Sequence, residues 1–521
     1  FDTLRYHYAL PAIYLRTGST WPLPHFVESN LPLGVEMLSM IGMTDASHAG
    51  ANLVNLLLFA LCGFGILCLA DRLGSRRAGW IGFFLFLSSS AIVHILFLQK
   101  PDLGVTLFFF AFAYALLAWL TDGKDLRFLL IAGAFAGLSM GTKYTMMLFV
   151  MAAVAVALRE TARGQRGRYV VPWREAALSG LVAAVFFAPW LWRNLAATGN
   201  PVYPLLNGLF GSPSWSPARM EVLSGDAHPL LAHLHGWKDL ASLLGSLTFF
   251  PDTSMSGPGA SIGVGILGTF LFPILVREPE RGWRFLRNLS LALMMVWFLS
   301  SWISRYLLPA LPFMALLTGF LGDRLAERFG RWGSGIAVLL LVAAVAAQGG
   351  STIRQSPIHK AWAASFSLAG QPERGLRIAS RFHPSLEAAA FVNARLPESA
   401  KILFLGETRV YYFQRTVVAP SPYDEHPIAK LAAAGPDPGT VRDRLAGQGY
   451  THILVCWPEW ERLGRQYYSR LWEHGEIEAA DHFVRTLPAV YSDRRVTVFS
   501  LERRATETLP RRGPMIDPAV R

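Results

Sequence analysis

The first two thirds of this chain carry one apolar run after another, each close to the roughly 17 to 25 residues that a helix needs to cross a bilayer. The runs lie near 50–70, 78–98, 102–120, 127–142, 144–158, 176–193, 261–276, 286–302, 305–322 and 333–350, which makes about ten spans. With 521 residues, only 16% of them charged, and a mean hydropathy of +0.33, the chain is too apolar for an ordinary soluble globule. Lipid offers the backbone no hydrogen-bond partners, so such runs have to be helical. The stretch 127–158 reads as two helices parted at Gly141-Thr142-Lys143, because a lysine at the bilayer centre is costly. The sequence opens at Phe1 without an initiator Met or a leader, so no signal peptide is read from it.

The net charge of +12 is a matter of topology. Lys and Arg concentrate in the loops 71–77, 121–127, 159–175, 277–287 and 323–331, whereas the short turns on the other side hold one each, Lys100, Lys143 and Arg305. By the positive-inside rule the first set is cytoplasmic, and 1–47, 194–260 and everything after 351 face outward, toward the periplasm of a Gram-negative cell. This distribution argues against nucleic acid as a partner. Cys62, Cys68 and Cys456 have neither a disulfide framework nor metal-ligand spacing. Arginine far outnumbers lysine, and alanine and glycine are abundant, as in GC-rich bacterial genomes.

Nearly every unusual polar residue falls at an outer end. Asp2, in Phe1-Asp2-Thr3-Leu4-Arg5-Tyr6-His7, reads first as a helix N-cap and second as a general base held above the headgroups. The following loop continues through Asn30 and Glu36, and its apolar run 33–43 suggests an amphipathic surface helix. Asp102, in Gln99-Lys100-Pro101-Asp102, reads first as a cap of the next helix. Lys143 has no acidic neighbour in sequence and either snorkels to the interface or binds an anion. Arg193-Asn194, followed by Gly199-Asn200-Pro201, is more detailed than a helix end requires. Arg305, at an outer helix start, is unfavourable for the helix dipole unless an anion is near, and reads as a phosphate ligand. Asp226, His228, His233 and His235 invite a metal, yet the i, i+2 spacing does not put both ligands of a pair on one helix face. P-loop, dinucleotide, nucleophile-elbow and haem motifs are missing, and no cofactor is indicated.

Together these phrases resemble the GT-C superfamily of integral-membrane glycosyltransferases, in the group of dolichyl-phosphate-mannose-protein mannosyltransferases and aminoarabinose transferases (glycosyltransferase family 39-like). The matching phrases are Asp2 with Tyr6-His7, Lys100-Pro101-Asp102, Gly141-Thr142-Lys143-Tyr144, Arg193-Asn194 with Gly199-Asn200-Pro201, and Arg305-Tyr306 with Pro309, over residues 1 to about 320. The family has a transmembrane helix before its first loop, so the resemblance implies an N-terminal truncation with a first span missing. The pattern departs from the family in its first loop, where two adjacent acidic residues are usual and Asp2 is followed by Thr3. The resemblance implies transfer of a sugar from a polyprenyl-phosphate carrier to an acceptor at the outer face, with inversion. Asp2 takes the position of the base and Asp102 that of a helper. Lys143, Arg305 and Arg193 meet the lipid phosphate, with Tyr6, His7, Tyr144 and Tyr306 from the same phrases beside the donor. The implied partners are the lipid-linked donor, membrane lipids and an acceptor of unspecified kind.

Beyond 351 the spans give way to alternation: helix 384–396, strand 401–405 ending at Gly406, helix 441–447, strand 451–456 and an edge strand 496–501, a small α/β domain that helps with acceptor recognition or packing. Glu407-Thr408-Arg409 reads as a surface turn. The expected organisation is thus a transmembrane domain 1–350, with outer loops 1–47 and 194–260, a periplasmic α/β domain 351–505 and a disordered tail 506–521. Two other classes share these features. A transporter or flippase of lipid-linked substrates would place ionisable groups at mid-membrane and show internal repeats, neither of which is seen. An inactive relative that binds the donor without transferring it is compatible with the residues.

Overall fold

The computed structural model describes residues 2–43, 49–96, 98–123, 125–163, 173–212, 215–225, 236–249, 261–301, 303–355, 383–433, 437–473 and 475–502. The metal-inviting histidines of the 226–235 loop and the tail 506–521 lie outside these residues.

After a π-helical turn Thr3–His7 come α1 (Ala9–Thr17) and α2 (Gly34–Gly42), the amphipathic helix expected at 33–43. The apolar runs then appear as α3 (Ala49–Arg72), α4 (Arg76–Leu87), α5 (Ser90–Leu96), α6 (Asp102–Thr121), α7 (Leu126–Met140), α8 (Met146–Arg163) and α9 (Trp173–Thr198). Further helices run Leu267–Leu275, Arg281–Ser300 and Leu311–Gln355, the last broken at Gly330, whose φ is +57°. Each expected apolar run is matched by a helix, and α7 and α8 part around Lys143 as expected. Among the described residues four helices are long and apolar enough to cross a membrane, and a fifth span arises if α4 and α5, bent by 59°, are one. The others fall short because α7 and Val264–Leu275 are brief, and because charges occupy the end of α8 (Arg159, Glu160, Arg163) and the start of Arg281–Ser300.

Two compact units partition the chain in a way the sequence organisation did not anticipate: one draws on 31–192 and 226–362, the other on 1–30, 193–225 and 363–521. In the first, the basic loops share one end. Arg72 pairs with Asp122, Arg77 with Asp323 at 3.1 Å, and Arg284 with the fully buried Glu160 at 2.8 Å, while Arg281 donates to the Leu120 carbonyl at 2.7 Å. The loops grouped by charge are therefore grouped in space.

In the second unit a five-stranded sheet runs β2-β1-β3-β5-β4, with β1 Lys401–Leu405, β2 Thr416–Val418, β3 His452–Cys456, β4 Ala489–Ser492 and β5 Val496–Ser500. β1 lies parallel to β2 and β3, and β5 antiparallel to β3 and β4. Alternate side chains feed opposite faces. Leu403, Leu405, Ile453 and Val455 pack on the helices Pro427–Ala433, Pro438–Gly447 and Glu476–Arg485, while Ile402, Phe404, Leu454 and Val498 pack on Leu386–Arg395 and on Ala9 of α1. Two expectations are corrected. The strand read as an edge, β5, is interior and wholly buried. The Glu407-Thr408-Arg409 turn is also buried, because Glu407 closes onto Arg409 at 2.7 Å and onto Ser385.

Candidate functional site

The bend between α4 and α5, the Lys100-Pro101 turn and the start of α6 deliver polar groups to the end of the helices opposite the basic loops. Pro101 occupies the N-cap position of α6, so Asp102 is the first helical residue rather than the cap, and its side chain turns to Lys143, with Nζ and Oδ1 3.1 Å apart. Asp102 is 5% exposed. Lys143 sits in the turn between α7 and α8, where its backbone amide donates to Ser139 O at 3.1 Å. That turn is tied to α2, since Gly34 N donates to Gly141 O at 3.0 Å, and a Cβ at Gly34 would stand 2.7 Å from the Thr142 hydroxyl. Only glycine admits so close a backbone approach.

The Lys143 ammonium lies 3.7 Å from the centroid of the Tyr306 ring, a cation–π contact. The Arg305 guanidinium is 5.4 Å from the same ring and hydrogen-bonds the Tyr306 side chain. Arg305 and Lys100 are both close enough to Asp102 to act on it electrostatically, and His94 of α5 feels Lys100 and Arg305 in turn. The sequence had singled out Asp102, Lys143, Arg305 and Tyr306, which the fold brings together. It had not assigned Lys100 or His94 a role, although Lys100 stood out as the lone cation of an outer turn and as part of the Lys100-Pro101-Asp102 phrase. Three cations here face one carboxylate, an excess of positive charge in a largely covered site, suited to an anion carrying two charges. Tyr144 is buried against Phe187, ring centroids 6.3 Å apart, beside the same turn.

The remaining candidates belong to the other unit. Asp2 stands at the N-cap position of the Thr3–His7 turn, but its side chain makes no capping bond. The rings of Tyr6 and His7 are 4.0 Å apart, and His7 is buried. Arg193, expected at phosphate, is 7% exposed and donates to the carbonyls of Ser29 at 2.6 Å and Thr20 at 3.3 Å, while Asn194 donates to Asn30 O at 2.7 Å. This pair fastens the first loop through its backbone. Among the described residues, no group of three or more His, Cys, Asp or Glu is placed to hold a metal ion.

Residues 37–192 match the family described as dolichyl-phosphate-mannose-protein mannosyltransferase. No curated protein matches the chain by sequence. Among solved structures it is similar to ArnT from Cupriavidus metallidurans in the apo state (TM-score 0.61, 14% identity, covering 96% of this chain and 93% of that one). The same protein bound to undecaprenyl phosphate gives a TM-score of 0.59 at 13% identity, covering 96% and 94%. The archaeal oligosaccharyltransferase AglB from Archaeoglobus fulgidus, in complex with an inhibitory peptide and a dolichol-phosphate, gives 0.51 at 12%, covering 97% and 71%. Residues 37–192 thus match the mannosyltransferase family, and the fold of the chain is similar to that of ArnT and AglB.

Proposed function

We propose that this protein transfers a sugar from a polyprenyl-phosphate carrier to an acceptor at the outer, periplasmic face of a bacterial inner membrane, with inversion at the anomeric carbon. The observation that carries the reading is the cluster of Lys100, Lys143 and Arg305 around Asp102 and Tyr306. As the glycosidic bond to phosphate breaks, the leaving group gains negative charge, and cations fixed beforehand in a poorly hydrated site stabilise that charge more than water does. Lys143 and Arg305 are the phosphate ligands in this reading, and Lys100 adds to their field. Asp102 already binds an ammonium and is a poor proton acceptor, so its role is to aim Lys143. Asp2, at the family's position for the base, takes the acceptor hydroxyl proton as the oxygen attacks the anomeric carbon and the phosphate departs. Undecaprenyl phosphate in ArnT and dolichol-phosphate in AglB are ligands of the same chemical kind.

The test is transfer of radiolabelled sugar from undecaprenyl-phosphate-linked mannose and aminoarabinose in membranes containing the protein, with Asp2→Asn alongside. Donor consumption that falls at least about 100-fold in Asp2→Asn supports the reading. Donor bound but never consumed identifies an inactive binder, and donor neither bound nor consumed favours a transporter.

A further inference from the structure

The segment that carries Asp2 is built into the α/β unit. Tyr411 N donates to Leu4 O at 3.2 Å, Arg16 donates to Phe413 O at 3.3 Å, and Ala9 lies in the core of the sheet's second face. Further along, His25 holds a left-handed backbone at φ +57°, uncommon for a residue with a Cβ, and its Nδ1 is bonded to Glu425 O at 2.7 Å. The next amide but one, Val27 N, donates to Asp424 Oδ1 at 3.0 Å, and the other oxygen of Asp424 accepts from Ser421 N at 2.9 Å.

At the centre of these ties Arg5, 6% exposed, meets Glu28 with Nη2 and Oε1 2.5 Å apart, and Asp424 acts electrostatically on both. Arg5 belongs to the π-helical turn that Asp2 opens, in which Tyr8 N reaches back to Thr3 O at 2.8 Å. Single π-turns are rare and need support from their surroundings. From within this turn the Arg5 side chain reaches Glu28 and lies in the field of Asp424.

We propose that the Arg5–Glu28–Asp424 cluster is a latch that sets the Thr3–His7 turn, so that Asp424, some 400 residues away in sequence, is a positioning residue for Asp2. The proposal rests on reading Asp2 as the base. In consequence the α/β unit is part of the catalytic apparatus: the polar and backbone ties of residues 4–27 to 411–425 fix where the carboxylate points. A base displaced by about an ångström can lose on the order of 100-fold in rate while donor binding elsewhere in the chain is untouched.

The experiment uses the full chain. Affinity for undecaprenyl phosphate and the rate of labelled-donor consumption at saturating donor are measured for wild type, Asp424→Ala and Asp424→Asn. Asparagine keeps an acceptor for Val27 N and loses the charge. The expected result is undecaprenyl phosphate affinity within about twofold of wild type in both variants, a rate at least about 30-fold lower in Asp424→Ala, and partial recovery in Asp424→Asn. Should Asp424→Ala not fold, His25→Ala, which removes only the bond to Glu425 O, reads the same split between binding and rate. A wild-type rate in the variants overturns the latch, and so does a rate that falls only in parallel with affinity. If wild type consumes no donor, it is the functional reading that fails, and the latch falls with it.

Discussion

A lysine in a turn between two apolar helices usually snorkels to water along its own stem. Lys143 instead keeps 78% of its side-chain surface covered, with Asp102 on one side and the Tyr306 ring on another. Holding an ammonium there costs desolvation that an anionic ligand recovers. Lys143→Ala and Arg305→Ala should each lower donor consumption by about 100-fold, near 3 kcal/mol, with expression unchanged; full activity in both would remove the phosphate-site assignment. Arg193 provides the contrast. Its guanidinium serves the carbonyls of Ser29 and Thr20, so Arg193→Met should lower the melting temperature, costing about 1–3 kcal/mol, yet leave undecaprenyl phosphate affinity intact. Lys143 and Arg305 were legible in sequence as isolated outer cations. The partnership with Asp102 was not, because the two residues lie 41 positions apart and local spacing carries no signal at that range. The contacts of Arg193 were hidden for a related reason: the carbonyls it donates to are more than 160 residues upstream.

At the scale of elements, strands β1 and β3 announce themselves as short apolar runs buried on both faces. β2 and β4 do not, being three and four residues long with partly exposed side chains. β5, read as an edge strand, is interior, and its polar Thr497 and Ser500 are both buried, with Thr497 accepting from Trp457 Nε1 at 3.0 Å. His426 joins two elements of this unit. Its Nε2 donates to Phe404 O of β1 at 2.9 Å, and its Nδ1 accepts from Ile428 N in the following helix at 3.3 Å. Only the neutral ring can do both, since protonation would set a second N–H against the Ile428 amide. Burial accordingly pushes His426 down to about 4 from an ordinary 6.5, and burial pushes His383 down to about 4 as well. For a lowered histidine the unfolded chain takes up protons first. The stabilisation is therefore complete above pH 6.5 and is lost as pH falls toward 4, on the order of 3 kcal/mol for each ring. Hydrogen exchange of the β1 amides should show about 2 kcal/mol of this loss per ring between pH 7 and pH 5, and His426→Gln should show roughly half of the total. Equal protection at both pH values would mean that His426 is not held neutral.

For the whole molecule the question is which way the site faces. Charge grouped the loops, and the pairs Arg72–Asp122, Arg77–Asp323 and Arg284–Glu160, with the Arg281–Leu120 bond, gather the same loops at one end of the helices. Lys100, Lys143 and Arg305 converge at another place, around Asp102. A membrane translocates basic loops poorly, so the heavily basic end should stay in the cytoplasm and the Asp102 site should face out. A polyprenyl-phosphate sugar presented on the outer leaflet could then reach cations that, with the opposite orientation, would face the cytoplasm. The orientation can be measured in a variant whose three cysteines are replaced, carrying either Gly123→Cys in the exposed turn between α6 and α7 or Ser19→Cys in the exposed segment after α1. A membrane-impermeant maleimide should label Ser19→Cys in cells with a permeabilised outer membrane, and Gly123→Cys only after the inner membrane is opened. The reverse pattern would put the Asp102 site in the cytoplasm, where a donor flipped to the outer leaflet could not reach it. Labelling of both positions before the inner membrane is opened would mean that α3, the α4–α5 pair and α6 do not cross the membrane in turn as charge and hydropathy require.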